Sequence, residues 1–372
     1  MRSLGLILEN TNGFDDLEND FTMRGVPHTL ALSTSLTPAP GGADGTSTPP
    51  DQRTGWSGDG APGSGTLRDF ATGAVTQHFP KTTDRISDKD FVLPNDDQLD
   101  AMEAFQLFTG RDEDPDIAAL DFSNPVVARS RDLFNTTDSA SGTVVAGKCS
   151  TCHSNGGATV DFIPGVNSNF NFNTGVEDLP DSPADLVDSG NNPDDDGFGS
   201  PGLGSFNTPP VVEAADTPPF FHNNSIRTLE GAVDFYTTAA FEDSPAGQAL
   251  IENDSGGVGI ELETTHVESI AAFLRVLNVL ENLRSVVEVA TFALDVTKSS
   301  AAKNMLKLSL FDLEDAKEVL EEGDLHLGTI KDLDKAHKEL TKASKTNNSN
   351  NRNNKIQKGL NKIENVLQDI LY

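Results

Sequence analysis

The five residues 149–153, Cys-Ser-Thr-Cys-His, constrain the chain more than any other stretch. They contain the only two cysteines among 372 residues, and a histidine follows the second cysteine directly. Cys-x-x-Cys-His is the attachment signal for c-type haem. Two thiols at this spacing reach the vinyl groups on one edge of a porphyrin, and the adjacent imidazole is held beneath the iron. The motif therefore predicts one covalent haem c on Cys149 and Cys152, with His153 as the proximal iron ligand.

Three other uses of a close cysteine pair fit the sequence less well. A disulfide between residues this close is strained. A structural zinc site takes four ligands, and the chain has no second cysteine pair. A thioredoxin-type redox pair lies in a βαβ context, which the surrounding pattern does not provide. Haem attachment is the interpretation that the motif favours.

The charge of the chain restricts its partners. The formal net charge of −31 argues against nucleic acid and against an anionic membrane surface. It fits a basic redox partner protein, although a merely solvated acidic surface explains it as well. No window predicts a membrane span, and the apolar run in the first ten residues is too short for a secretory signal. Covalent haem implies export, so we expect a periplasmic or otherwise exported protein whose sequence is a mature or truncated chain, or whose true start lies upstream of Met1.

Hydrophobic periodicity and turn residues predict an all-α fold in three parts. Residues 1–117 form a loop-rich N-terminal half with a Pro-, Gly- and Ser-rich insertion at 36–66. Residues 118–283 are predicted to form a cytochrome c-like haem domain. Residues 284–372 lack proline and carry three amphipathic patterns, which predict a C-terminal helical bundle.

Cap signals and apolar spacing locate the individual helices. A helix over 95–110 is predicted to be capped by Asp96 or Asp97, and a capping box is predicted at 265–268, at the start of a long helix. The other predicted helices lie near 66–75, 124–134, 228–236, 299–322, 326–345 and 354–371.

The sequence does not predict methionine as the sixth, distal ligand of the iron. Electron-transfer haems often take methionine as the sixth ligand, yet no methionine lies between the haem motif and the end of the long helix near 280. The downstream candidates are His222, Tyr236 and His266. His266 lies in the predicted capping box, which favours an ordinary surface role.

Residues 217–225, Thr-Pro-Pro-Phe-Phe-His-Asn-Asn-Ser, and 228–236, Thr-Leu-Glu-Gly-Ala-Val-Asp-Phe-Tyr, carry a resemblance. Together with Phe-Asn-Thr-Pro-Pro at 206–210, they resemble the second haem domain of bacterial di-haem cytochrome c peroxidases and MauG-like enzymes. The fourteenth position after the histidine of this pattern is methionine in the peroxidases and tyrosine in the MauG-like members. The resemblance thus implies that Tyr236 is the distal iron ligand and that His222 is a haem-proximal polar residue. The alternative for Tyr236 is a buried aromatic ring with a hydrogen-bonded hydroxyl.

The resemblance extends more weakly to the N-terminal half and covers roughly residues 15–283. It implies that residues 1–117 are a degenerate or truncated N-terminal domain of the cytochrome c peroxidase type. Residues 24–30 and 55–60 are similar to two segments of the family, the second of which holds a tryptophan between the haems. Trp56 is therefore a candidate electron relay, with a loop-anchoring aromatic as the alternative. The family's first Cys-x-x-Cys-His is missing, and its distal histidine aligns near Leu17.

The metal and histidine predictions outside the haem motif are weaker. The resemblance implies a calcium ion held by the carbonyl groups of Thr217 and Pro219, although Gly25 replaces the family's asparagine ligand. An acidic turn at 192–197 begins like an EF-hand, but its twelfth position is Leu203, which favours a simple turn. His28 and His78 are expected to be ordinary polar or capping residues, and a second haem would make them the ligands to test.

Three functions remain open at this point. The first is a c-type haem electron-transfer protein of the di-haem peroxidase superfamily with one haem. The second is an enzyme, a truncated di-haem cytochrome c peroxidase or MauG-like oxidase that acts with hydrogen peroxide. The third is a non-enzymatic interaction protein with a vestigial haem site.

Overall fold

The computed structural model describes residues 6–9, 22–25, 28–35, 66–78, 81–82, 84–158, 171–176 and 205–372. Within these ranges the chain is mostly helical, which confirms the predicted all-α class. None of the helices described is long and apolar enough to cross a membrane.

Ten α-helices and two short ribbons make up the regular structure of these residues. Strand β1 (Leu6–Glu9) pairs antiparallel with β2 (Thr22–Gly25), and β3 (Asn171–Asn173) pairs antiparallel with β4 (Ser205–Asn207). The helices are α1 (Leu67–His78), α2 (Asp96–Phe108), α3 (Pro125–Asn135), α4 (Leu229–Phe235), α5 (Ala239–Glu242), α6 (Pro245–Asn253), α7 (Thr264–Asp295), α8 (Ser299–Glu322), α9 (Ile330–Ser344) and α10 (Ser349–Ile370).

Two predicted helix caps are wrong by one or two residues. Helix α2 is capped by Asn95, whose side chain accepts the Gln98 N–H at 2.9 Å, while the Gln98 side chain accepts the Asn95 N–H at 3.0 Å. This reciprocal pair leaves Asp96 and Asp97 in the first turn, where carboxylates favour the helix dipole. At α7 the carbonyl of Glu263 accepts the first helical N–H groups, and the His266 ring takes the position that a capping glutamate was predicted to fill.

The described residues form two compact units. The first draws on Met1–Pro115, Leu133–Val211 and Thr217–Val267 and contains the cysteine motif. The second draws on Asp116–Asp132, Val212–Asp216 and Glu268–Tyr372.

The second unit confirms the predicted stripes of the C-terminal helices. Helices α8, α9 and α10 each bury one stripe of apolar residues at helical spacing, because an amphipathic helix packs its apolar face against the core. The buried stripes comprise Leu313, Ala316 and Leu320 in α8, Leu333, Ala336 and Leu340 in α9, and Ile363, Val366 and Ile370 in α10.

Helix α2 of the first unit behaves differently. Its apolar residues follow the predicted stripe, but Phe105 and Phe108 are 67% and 86% exposed. Periodicity therefore located this helix correctly, while its apolar face lies on the surface.

Candidate haem-attachment site

The Cys-x-x-Cys-His motif folds as one tight turn in the first unit. The turn follows Lys148, which adopts a left-handed backbone conformation with φ of 56°. The Cys149 carbonyl then accepts the backbone N–H groups of Cys152 at 3.2 Å and His153 at 2.9 Å. These bonds form a 3₁₀ helix at Cys149–Thr151 and hold both cysteines and the histidine on adjacent turns of the backbone.

Both cysteines are free thiols and lie half-buried, so the alternative of a disulfide is not realised. Burial raises the pKa of Cys149 and of Cys152 to about 12. The sulfur atoms are accordingly uncharged at neutral pH.

His153 is held as a neutral imidazole. Burial lowers its pKa to about 4, against the opposing effect of hydrogen bonds to the backbone of Gly157 and Pro209. Its Nδ1 atom lies 3.3 Å from the carbonyl oxygen of Gly157, which places the ring proton on Nδ1. With Nδ1 held by this carbonyl group, Nε2 is the ring nitrogen that could serve as an iron ligand.

A buried ion pair packs behind this hydrogen bond. Arg111 is fully buried and donates to the Oδ1 atom of Asp114 from Nη2 at 2.8 Å and from Nε at 3.1 Å. Gly157 lies so close to the Asp114 carboxylate that a Cβ atom at this position would collide with it. Glycine at position 157 therefore allows the Asp114 carboxylate to pack against the same residue whose carbonyl group bonds His153. No sequence signal identified Arg111 or Asp114, because their relation to the motif exists only in three dimensions.

A cavity of about 490 Å³ lies in the same unit, within the size range of small-molecule and cofactor sites. It is lined by aliphatic and aromatic groups and by a few carboxylates. The lining includes Val145, Tyr236, Phe241, Leu250, Ile260 and His266, but not Cys149, Cys152 or His153.

Tyr236 lines this cavity and lies near the cysteines. Its ring packs edge-on against Phe235 and Phe241, with centroids 5.3 and 4.9 Å apart. Burial raises the pKa of the Tyr236 hydroxyl, and negative charge on Cys152 or Cys149 would raise it further. The hydroxyl is therefore a neutral phenol within electrostatic range of both cysteines, and its role as distal ligand stays a prediction.

The two histidine candidates differ in their positions. The ring of His266 lines the cavity, and its Nδ1 atom accepts the Glu263 N–H at 3.3 Å. That bond places the His266 proton on Nε2, which suits a hydrogen-bond donor better than an iron ligand. The ring of His222 instead stacks on Phe206, with centroids 3.6 Å apart and planes within 7°. His222 is not among the residues that line the cavity.

A buried charge pair anchors the residue before Cys149. The Lys148 ammonium lies 2.9 Å from Oδ1 of Asp254, and both side chains are almost fully buried. Oδ2 of Asp254 also accepts hydrogen bonds from the Ser139 hydroxyl at 2.6 Å and from the N–H groups of Gly256 and Val258 at 2.9 and 3.1 Å. The pair thereby ties the start of the haem motif to residues 254–258, just before the cavity-lining residues 259–263.

The remaining predicted site residues that the structure describes form no cluster. Thr217 is half-buried and Pro219 is exposed, and calcium binding by their carbonyl groups stays a prediction. Among the residues that the structure describes, no group of three or more His, Cys, Asp and Glu side chains could hold a metal ion. Trp56, Leu17 and the acidic turn at 192–197 lie outside the described residues.

His28 belongs to the first unit and is neutral. Burial lowers its pKa, and the nearby Arg111 guanidinium lowers it further. This agrees with an ordinary buried polar role. His78 ends helix α1, and its side chain lies outside the described part of the structure.

Comparison with known proteins adds no assignment. No protein-family model, curated protein or solved structure matches the chain.

Proposed function

We propose that this chain is a c-type haem electron-transfer protein, related to the di-haem peroxidase superfamily through its 206–236 region. The observation that carries the proposal is the geometry of the motif. Cys149 and Cys152 are free thiols on one 3₁₀ turn, and the Nδ1 atom of the adjacent His153 lies 3.3 Å from the carbonyl oxygen of Gly157. This donor set fits a covalently held haem and fits zinc or a disulfide poorly.

Cys149 and Cys152 would supply the two thioether sulfurs that hold such a group, and His153 would offer Nε2 to its iron. Tyr236, which lines the cavity, would be the candidate distal ligand. Haem bound in this way supplies a one-electron ferric/ferrous couple. The acidic surface would favour a basic redox partner protein in the periplasm or another exported location.

One observation supports a second proposal, an enzyme of the di-haem cytochrome c peroxidase or MauG-like type. Tyr236 lines the cavity, and the resemblance implies that MauG-like members have tyrosine at this position where the peroxidases have methionine. Such an enzyme would act with hydrogen peroxide. Trp56 as an electron relay and calcium at Thr217 and Pro219 would belong to this alternative.

Haem counting tests the proposal. The full chain, fused to a secretion leader and produced with a cytochrome c maturation system, should give one haem per chain in a pyridine haemochrome assay. The variant C149A/C152A should give none, and its far-ultraviolet circular dichroism reports whether its helices have formed. An absence of haem from the unmodified chain would overturn the proposal and favour an interaction protein, whereas two haems per chain would favour the enzyme.

A further inference from the structure

The charge of the molecule is unevenly divided along the chain. Residues 1–298 contain 46 acidic and 15 basic residues and thus carry the entire net charge of −31. Residues 299–372 contain 12 of each. The last two helices reverse the balance, because residues 330–372 contain nine basic and five acidic residues. A locally basic region therefore exists in an otherwise strongly acidic protein.

The basic residues of α9 form one continuous stripe. They recur at intervals of four, three, four and three residues, which places them on the helix face opposite the buried Leu333 and Leu340. All of them are exposed: Lys331, Lys335, Lys338, Lys342 and Lys345.

Helix α10 widens this stripe. Lys362 lies 3.7 Å from the Asp332 carboxylate of α9. The pKa of Glu339 is lowered by its hydrogen bond to Lys342 and also by the nearby Lys358 and Lys355. The eight lysines of the two helices thus form one surface, which we call the lysine face: Lys331, Lys335, Lys338, Lys342, Lys345, Lys355, Lys358 and Lys362.

Two carboxylates beside the lysine face lie lower than its ammonium groups. The side chains of Asp332 and Glu339 are only 25% and 23% exposed, whereas those of Lys335 and Lys342 are 57% and 46% exposed. A third carboxylate, Asp334, is 57% exposed and pairs with Lys317 at 2.7 Å. The eight lysines outnumber these three carboxylates, so the face presents a net positive charge to the solvent.

An acidic surface that could receive the lysine face occurs on the first unit of the same chain. Helix α2 and the residues after it expose carboxylates, and α2 also exposes the rings of Phe105 and Phe108. The exposed carboxylates are Asp96, Asp97, Asp100, Asp112 and Glu113. Asp96 and Asp100 share the Arg68 guanidinium, so the uncompensated charge lies mainly on Asp97, Asp112 and Glu113.

We infer that the lysine face binds the acidic α2 region of a second copy of this chain. Charge complementarity selects this occupant, because the chain itself supplies a strongly acidic surface at the same concentration as the basic one. At physiological ionic strength charges interact over about 8 Å, so the facing patches outweigh the overall repulsion of two acidic molecules. The contact joins two different surfaces and therefore forms rings or open chains rather than a two-fold dimer.

Sedimentation velocity of the full chain tests the inference at moderate and high salt. We expect concentration-dependent association at about 150 mM salt, where the overall repulsion of two acidic molecules is screened. Association should be lost at about 500 mM, where the attraction between the facing charges is screened as well. The triple variant K335E/K338E/K342E should be monomeric at both salt concentrations. The matched control K298E/K303E/K307E changes the charge equally outside the lysine face and should still associate.

A charge swap identifies the receiving surface. The variant D97K/D112K/E113K should not associate alone, but it should associate with K335E/K338E/K342E when the two are mixed. Wild-type chain that stays monomeric at the lower salt concentration, equal loss in the control variant, or a mixture that fails to associate would each overturn the inference. Circular dichroism of each variant shows that a loss of association is not a loss of fold.

Discussion

The interaction between Lys148 and Asp254 shows how a single pair of residues positions the haem motif. The two residues are far apart in sequence, yet their charged groups form an ion pair that is almost fully buried next to Cys149. Removing one partner of such a pair leaves an uncompensated buried charge, which is more costly than the pair itself is stabilising. The sequence identified Cys149, Cys152 and His153 by spacing alone, but a pairing over this separation has no local signal.

Replacement D254N should lower the free energy of unfolding by about 3 kcal/mol at pH 7, because Lys148 would remain buried without its counter-charge. The loss should be measured by urea denaturation. The neighbouring exposed variant D138N is a suitable comparison, although Asp138 also accepts hydrogen bonds from Ser255 and should show a smaller loss. Equal losses in the two variants would contradict a special role for Asp254.

The same residue gives a pH dependence of known sign. Burial opposes ionisation of Asp254, but hydrogen bonds from Ser139, Lys148 and Val258 outweigh it and hold the pKa of the carboxyl far below its usual value. A group with a depressed folded pKa stabilises above its unfolded pKa, about 3.9, and loses that contribution as the pH falls. The stability difference between wild type and D254N should therefore shrink below about pH 4. A difference that stays constant down to pH 2.5 would contradict this assignment.

Tyr236 has a direct spectroscopic test, because the chain has only one other tyrosine. In the haem-loaded protein, Y236F should change the ferric absorption and electron paramagnetic resonance spectra, since phenylalanine cannot bind iron. Tyr372 is 85% exposed, so Y372F should leave both spectra unchanged. If Y236F has no effect and H266A changes the spectra, His266 is the distal ligand instead.

At the scale of elements, periodicity and caps predicted most helices. The range 299–322 matches α8, and the predicted helices at 228–236 and 354–371 correspond to α4 and α10. Helix α10 begins earlier than predicted because Asn348 accepts the Asn351 N–H and caps it, which turns an apparent Asn-rich linker into a helix start. The position of a helix relative to the core cannot be read from its own pattern, as the exposed apolar residues of α2 show.

Substitutions of one exposed and one buried phenylalanine test whether the apolar face of α2 lies on the surface. Phe108 in α2 is exposed, so F108S should change the free energy of unfolding by less than about 0.5 kcal/mol. Phe134 in α3 is 1% exposed, so F134A should cost about 3–5 kcal/mol. Thermal or urea denaturation of the two variants compares them directly. A large loss in F108S would mean that the apolar face of α2 is covered in the folded protein.

At the scale of the whole molecule, the second unit joins segments that are distant in sequence. Residues 116–132 belong to it together with the C-terminal helices. The backbone N–H of Ser123 donates to the Ile370 carbonyl at 2.9 Å, and the Tyr372 N–H donates to Asp121 at 2.8 Å. Composition divided the chain into consecutive parts, because a shift in composition reveals linear boundaries and not which segments return to pack together.

Removal of the last three residues should accordingly destabilise the second unit. Ile370 is fully buried, and its loss together with the two backbone hydrogen bonds should cost about 3 kcal/mol in the free energy of unfolding. Differential scanning calorimetry of a chain ending at Asp369 measures this cost, and Y372F, which removes only the hydroxyl that donates to Ser123 at 3.3 Å, is the matched mild change. Because the haem motif belongs to the first unit, the shortened chain should still carry one haem. A shortened chain as stable as the full one would show that the contacts of Asp121 and Ser123 with the C-terminus contribute nothing to the fold.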